Sequence, residues 1–113
     1  MELIFHMARD AEWAVAKASG TYRGAAEDRT DGFIHFSTAS QIRESAAKHR
    51  AGESDLILIA CDVKAFGHAL KWEQARGGES FPHLYGEISM TAVVWAARLT
   101  VDETGRHVFP DSI

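Results

Sequence analysis

The stretch Asp55-Leu56-Ile57-Leu58-Ile59-Ala60-Cys61-Asp62 decides the fold: six consecutive apolar residues are closed at both ends by an aspartate. A helix of ordinary length needs more residues and spaces its apolar positions three or four apart, whereas a short unbroken run bounded by polar residues suits a strand covered on both faces. The run therefore predicts a central strand, with Cys61 as one of its small core residues. Working back from it, Thr38 with Gln41 three residues later is a capping-box signature for a helix from Ala39 to about His49, with Gly52 ending it. Before that helix, Phe33-Ile34-His35-Phe36 reads as a buried strand. The segment from Gly20 to Asp31 is polar, contains glycine and has no convincing period, so it reads as a surface loop. Leu3 to Met7 predicts a first strand, followed by a helix over Ala11 to Ala18 with Asp10 as N-cap, Trp13 as anchor and Gly20 as its stop.

Working forward, Ala69 to Glu73 predicts a strand and Arg76-Gly77-Gly78-Glu79-Ser80 a turn. The following Phe81-Pro82-His83-Leu84-Tyr85-Gly86 is no ordinary helix, because Pro82 restricts Phe81 to extended geometry. Val93 to Val101 reads as a last strand, with Thr91-Ala92 in a helical turn before it. Strands first and last, with two main helices after the first two strands, predict an α+β domain with antiparallel or mixed pairing over residues 1–113. Trp72, Trp95 and most phenylalanines are expected in the core.

The totals narrow the function classes. Of 113 residues, 46% are hydrophobic and 25% charged, which suits one packed core. A formal net charge of -4 excludes broad adhesion to nucleic acid or anionic lipid, which depends on clustered lysine and arginine. No apolar run approaches membrane-spanning length and the N-terminus lacks the pattern of a secretory leader, so a cytoplasmic location is expected. One cysteine allows neither an intramolecular disulfide nor a thiolate zinc site. Glycine-rich phosphate fingerprints and the Gly-x-Ser-x-Gly elbow are missing.

Six histidines are more than composition requires, and His6, His35 and His83 sit in or beside apolar runs. An imidazole there must find a hydrogen-bond partner or lose its charge, which makes each one either a satisfied core group or a site group. Ser37 and Thr38 follow His35, where a ligand can meet the start of a helix; the alternative is that they only cap it. Glu73 and Glu87 each follow an aromatic residue at an expected strand edge. Arg76, beside two glycines, can clamp a phosphate or carboxylate, or pair with Glu73. His49 falls on the apolar stripe of its helix, while His68 and His107 are expected on the surface. A metal held by His6, His35 and His83 lacks a diagnostic spacing and stands as a minor alternative.

Taken together, Asp31-Gly32-Phe33-Ile34-His35-Phe36-Ser37-Thr38-Ala39, Trp72-Glu73, Arg76-Gly77-Gly78 and Phe81-Pro82-His83-Leu84-Tyr85-Gly86 resemble a bacterial family of unknown function, DUF952. The resemblance runs from Ile4-Phe5-His6 to about Val94. That family is similar to the ADP-ribosyltransferase-like fold, in which a split pair of small β-sheets encloses a cleft for a nicotinamide dinucleotide. The resemblance implies a small-molecule ligand of the NAD or ADP-ribose type. It implies His6 as the residue that orients a ribose, His35 with Ser37 and Thr38 at the nicotinamide side, and Glu87 as the carboxylate facing a developing ribosyl cation. Arg76, His83 and Tyr85 are the further residues expected around the cofactor, Arg76 by its charge and Tyr85 as an aromatic face. The implied activity is glycosyl or ADP-ribosyl transfer, or a degenerate relative of it. A non-catalytic module binding a metabolite or peptide in the same cleft is the alternative.

Overall fold

A computed structural model describes residues 1–113, except for the side chain of Arg76. Strand β1 (Leu3–Arg9) leads into helix α1 (Asp10–Ser19), strand β2 (Thr21–Tyr22), helix α2 (Ala26–Asp31), strand β3 (Ile34–His35) and helix α3 (Ile42–His49). Strands β4 (Leu56–Asp62), β5 (Leu70–Gln74), β6 (Ser80–Leu84), β7 (Ile88–Ser89), β8 (Val93–Val101) and β9 (His107–Val108) follow, with short 3-10 turns between several of them. The fold is α+β with antiparallel pairing. One sheet has the order β1-β4-β8-β9, a second β3-β6-β5, and β2 pairs with β7.

The apolar run of β4 is central, as expected, and its lack of alternation has a physical cause. Side chains alternate across a strand, and here both faces are covered. Ile57, Ile59 and Cys61 join Ile4, Ala8, Trp13, Tyr22, Ile34, Phe36 and Leu84 on one side. Leu56, Leu58 and Ala60 join Phe5, Met7, Ile42, Ala46 and Leu99 on the other. The same parity puts His6 on the face of Ile4 and Ala8, within the first of these cores.

The outer edge of β1 meets the segment after β3 at a single bridge, Phe5 to Ser37, with two backbone hydrogen bonds of 2.8 Å. The large sheet and the three-stranded sheet are joined there, and the cleft described below opens beside that joint.

Several local expectations need correction. The segment from Gly20 to Asp31 is not a loop throughout, since it holds β2 and α2. Its helix has no apolar period because a buried carboxylate, Asp28, organises it by accepting from the Ala25 N–H at 2.7 Å. There are thus three α-helices rather than two main ones. Helix α3 starts at Ile42, not Ala39; the Gln41 side chain accepts from the Thr38 N–H at 3.0 Å, while the Thr38 hydroxyl meets Ser40 instead of a backbone N–H. Helix α3 ends at His49, before Gly52. Asp10 is the first residue of α1 rather than its cap, and its carboxylate accepts from Arg98 at 2.7 Å. Trp72 lies on the edge strand β5 and is 46% exposed, so it is not a core residue. Trp95 is partly buried against the second core.

Candidate functional site

His6 is the most enclosed of the candidate residues, at 3% exposure. Its Nδ1 lies 2.6 Å from the carbonyl oxygen of His35, which can only accept, so Nδ1 carries the proton. Nε2 then accepts from the Tyr22 hydroxyl at 2.7 Å. Burial pushes the Tyr22 phenol up and keeps it a donor. Burial also lowers the pKa of His6, against the pull of Asp28 3.7 Å away, and the ring is neutral. With both nitrogens committed, His6 fixes the β3 backbone to β1 and offers none to a metal. Among the described residues no group of three or more His, Cys, Asp or Glu is arranged to hold one.

His35 has a different environment. Its Nδ1–H donates to Asp28 Oδ1 at 2.5 Å, and its Nε2 lies 2.9 Å from Asp31 Oδ2 in an ion pair, so a carboxylate stands at each ring nitrogen, an arrangement that suits the doubly protonated ring. The hydrogen bond to Asp28 raises its pKa against partial burial, and Asp31 adds to the effect. Asp28 also accepts from the backbone N–H of His35 and of Ala25. Burial pushes the Asp28 carboxyl up, but the bond from His35 and these N–H groups prevail and hold it below the usual carboxylate value. A buried acid that stays ionised in this way is the anchor of a cation.

Antiparallel register sets His35 directly opposite His83 on β6. The two rings meet edge to face, with centroids 5.7 Å apart, and Phe33 lies against both. His83 Nδ1 is 2.8 Å from Glu73 Oε1, which also accepts from the Tyr85 hydroxyl at 2.7 Å. Glu73 sits on β5, two residues along from the direct partner of His83, within diagonal reach across the pair of strands. The hydrogen bond from Tyr85, then that from His83, lowers the pKa of Glu73.

His6, Asp28, Asp31, His35, Ser37 and His83 share the wall of a cleft of about 410 Å³. The lining also includes Ser45, His49 and Arg50. Ser37 and Ser45 bond to each other at 2.9 Å, both buried. Arg50 donates to Glu27 at 2.7 Å, and Glu27 also receives a two-pronged bond from Arg9 at 2.8 and 3.1 Å. The bonds from Arg9 and Arg50 hold the Glu27 carboxyl far below its ordinary range.

Of the residues expected at the site, His6, His35, Ser37 and His83 are thus brought together. Thr38 and Tyr85 do not line the cleft, although Tyr85 shares the Glu73 carboxylate with His83, which does. Glu87 is elsewhere: its side chain is 52% exposed and pairs with Arg23 at 2.6 Å. The Arg76 side chain lies outside the described residues. His49 is exposed at the end of α3 rather than turned into the core, and it faces the cleft. Asp28 and Asp31 were missed. Asp31 stands four residues before His35 and Asp28 seven before it, a spacing that becomes a signal once α2 is seen to end at Gly32.

Residues 7–96 match the family described as Protein of unknown function, DUF952. The crystal structure of protein CC0527 from Caulobacter crescentus is 42% identical, covers 94% of this chain and 93% of that one, and superposes with a TM-score of 0.90. The solution NMR structure of CC0527 covers 100% of this chain and 97% of that one, with a TM-score of 0.88. No curated protein matches the chain.

Proposed function

The chain belongs to the DUF952 family of proteins of unknown function, and we propose that its histidine cleft binds a small phosphorylated ribose compound of the NAD or ADP-ribose class. One observation carries this reading: the His35 ring stands between buried Asp28 at 2.5 Å and Asp31 at 2.9 Å, a setting that favours its cation, and its side chain is 41% exposed in a cleft of about 410 Å³. Charged donors are the strongest partners of phosphate oxygens. The volume lies within the roughly 300–1,000 Å³ usual for small-molecule sites. The resemblance to the ADP-ribosyltransferase-like class supports the ribose part, since His6 and His35 stand on two strands beside the joint between the four-stranded and the three-stranded sheet.

In this reading His6 acts by positioning, holding β3 through the His35 carbonyl, and Ser37 forms part of the wall. Transfer of a ribosyl group would need a carboxylate facing the oxocarbenium-like centre. Glu87, paired with Arg23 away from the cleft, does not supply one. The proposal is therefore a binding site, related to transferases but without Glu87 in a catalytic role.

A thermal-shift comparison tests it. NAD or ADP-ribose is expected to raise the melting temperature, by about 2.7 kcal/mol of added stability at a concentration 100 times Kd. Nicotinamide, lacking phosphate, is expected to give no shift, and His35→Gln is expected to abolish the effect of the phosphorylated compounds. The absence of a shift with either at millimolar concentration overturns the reading.

A further inference from the structure

The two nitrogens of the His35 ring are held on unequal terms. Nδ1 meets Asp28, which is 3% exposed and tied to two backbone N–H groups. Nε2 meets Asp31, whose side chain is 51% exposed at the last turn of α2. One carboxylate is built in, and the other is half solvated. Both Asp31 and His35 line the cleft.

We propose that Asp31 is an internal stand-in for a ligand phosphate: its carboxylate forms the ion pair with His35 Nε2 at 2.9 Å, and a phosphate oxygen of a sugar phosphate takes its place at that nitrogen. This rests on the reading of the cleft as a site for phosphorylated ribose compounds and names the group through which they compete. The exchange replaces one anion by another on a cation that Asp28 keeps in position. Asp31 moves only from half-solvated to solvated, and an exposed ion pair of this kind is weak. Its remaining charge then repels the incoming phosphate, so Asp31 limits affinity.

His83 makes the ligand a sugar phosphate rather than phosphate alone. Glu73 takes Nδ1, which leaves Nε2 as the ring nitrogen available to a hydroxyl, a group that can either donate or accept. The ring centroids of His35 and His83 are 5.7 Å apart, a separation that one sugar phosphate spans with its phosphate on the first and a hydroxyl on the second.

Calorimetry and histidine-ring ¹⁵N NMR near pH 6, with inorganic phosphate and ribose 5-phosphate as probes, test the assignment. Ribose 5-phosphate is expected to move the His35 Nε2 resonance and to bind more tightly than inorganic phosphate, an advantage lost in His83→Ala. Asp31→Ala is expected to tighten binding of both probes by roughly threefold to fivefold, the opposite of what loss of a structural contact does. Asp31→Asn removes the charge at constant size and is expected to act in the same direction should the alanine variant fold poorly. Unchanged or weaker binding in both Asp31 variants, or a His35 resonance that does not move, overturns the stand-in. Equal affinity for the two probes overturns the role of His83. Failure of NAD and ADP-ribose to bind while ribose 5-phosphate moves His35 would overturn the dinucleotide reading and leave this one standing; ADP-ribose binding that Asp31→Ala does not tighten would do the reverse.

Discussion

Two imidazole–carboxylate pairs flank the Phe33 ring, and they are built in opposite senses. In the Asp28–His35 pair the acid is buried, with a side chain 4% exposed, and the ring is 41% exposed. In the Glu73–His83 pair the ring is buried, at 8%, and the acid is 39% exposed. A buried carboxylate must be compensated by the fold, because removing its partners leaves an ionised group without water. An exposed carboxylate keeps most of its hydration whatever it pairs with. The first pair should therefore bear on stability and the second on orientation.

The largest expected effect is that of Asp28→Ala. It removes the acceptor for the Ala25 N–H, the His35 N–H and His35 Nδ1, and leaves buried donors unpaired. A loss of about 3–5 kcal/mol in urea unfolding is expected, as for other broken buried pairs. A loss below about 1 kcal/mol would show that water replaces the carboxylate and would break the contrast. Gly24→Ala approaches the same acid from outside. Gly24 has φ +93°, and a Cβ there would lie 2.8 Å from Asp28 Cβ and 3.2 Å from Ile34 Cγ1. The left-handed backbone alone costs roughly 1–2 kcal/mol with a side chain present. Because both changes disturb Asp28, the double variant is expected to lose less than the sum of the two.

The same contrast explains what could be read from the sequence. β4 was legible because an unbroken apolar run reports burial on both faces, and β8, although only Leu99 in it is buried, begins and ends at the residues expected. His6, His35 and His83 were legible as polar groups set in apolar strands. Asp28 was not, because a polar segment with no period hides a helix organised by one buried acid rather than by an apolar stripe. Glu87 was misplaced for a related reason: the position after Tyr85-Gly86 is a strand edge, but its side chain turns outward to Arg23. Proximity in sequence to an aromatic residue does not distinguish the two faces of an edge.

Smaller effects are expected from pH, with opposite signs at two histidines. His35 binds its proton more tightly when folded, so its contribution is complete below the ordinary value of 6.5 and is lost as pH rises through the raised folded value. The pKa of Asp28 is lowered from 3.8, so its contribution is complete above that value and is lost as pH falls through the lowered one. The pair is thus most stabilising between these two ordinary values. His6 behaves the other way: its folded pKa is lowered, so the unfolded chain takes up the proton first as pH falls below 6.5 and the fold loses stability. Denaturant unfolding of the wild type and His35→Gln at about pH 5.5 and about pH 8 should show a larger difference at the lower pH. The change is expected to stay under about 1 kcal/mol, since the ring is partly solvated. An equal difference at both pH values would mean that His35 is not held as a cation.

The smallest expected effect on stability is that of Glu73→Ala, and it is the sharpest test of the comparison. Glu73 lies on the outside of the edge strand β5 and accepts from His83 and Tyr85. Without it the His83 ring keeps its burial and its stack on Phe33, whose centroid is 4.1 Å away, so the unfolding midpoint should hardly move. The ring should lose its fixed tautomer, because the acceptor that requires a proton on Nδ1 is gone. Ring ¹⁵N NMR should then show Nδ1–H and Nε2–H forms of His83 in exchange, and affinity for ribose 5-phosphate should fall by about tenfold, as outer-partner losses do at metal-bound imidazoles. Should Glu73→Ala instead unfold the protein as readily as Asp28→Ala, the exposed carboxylate would be as structural as the buried one, and the difference between the two pairs would lie only in their solvent exposure.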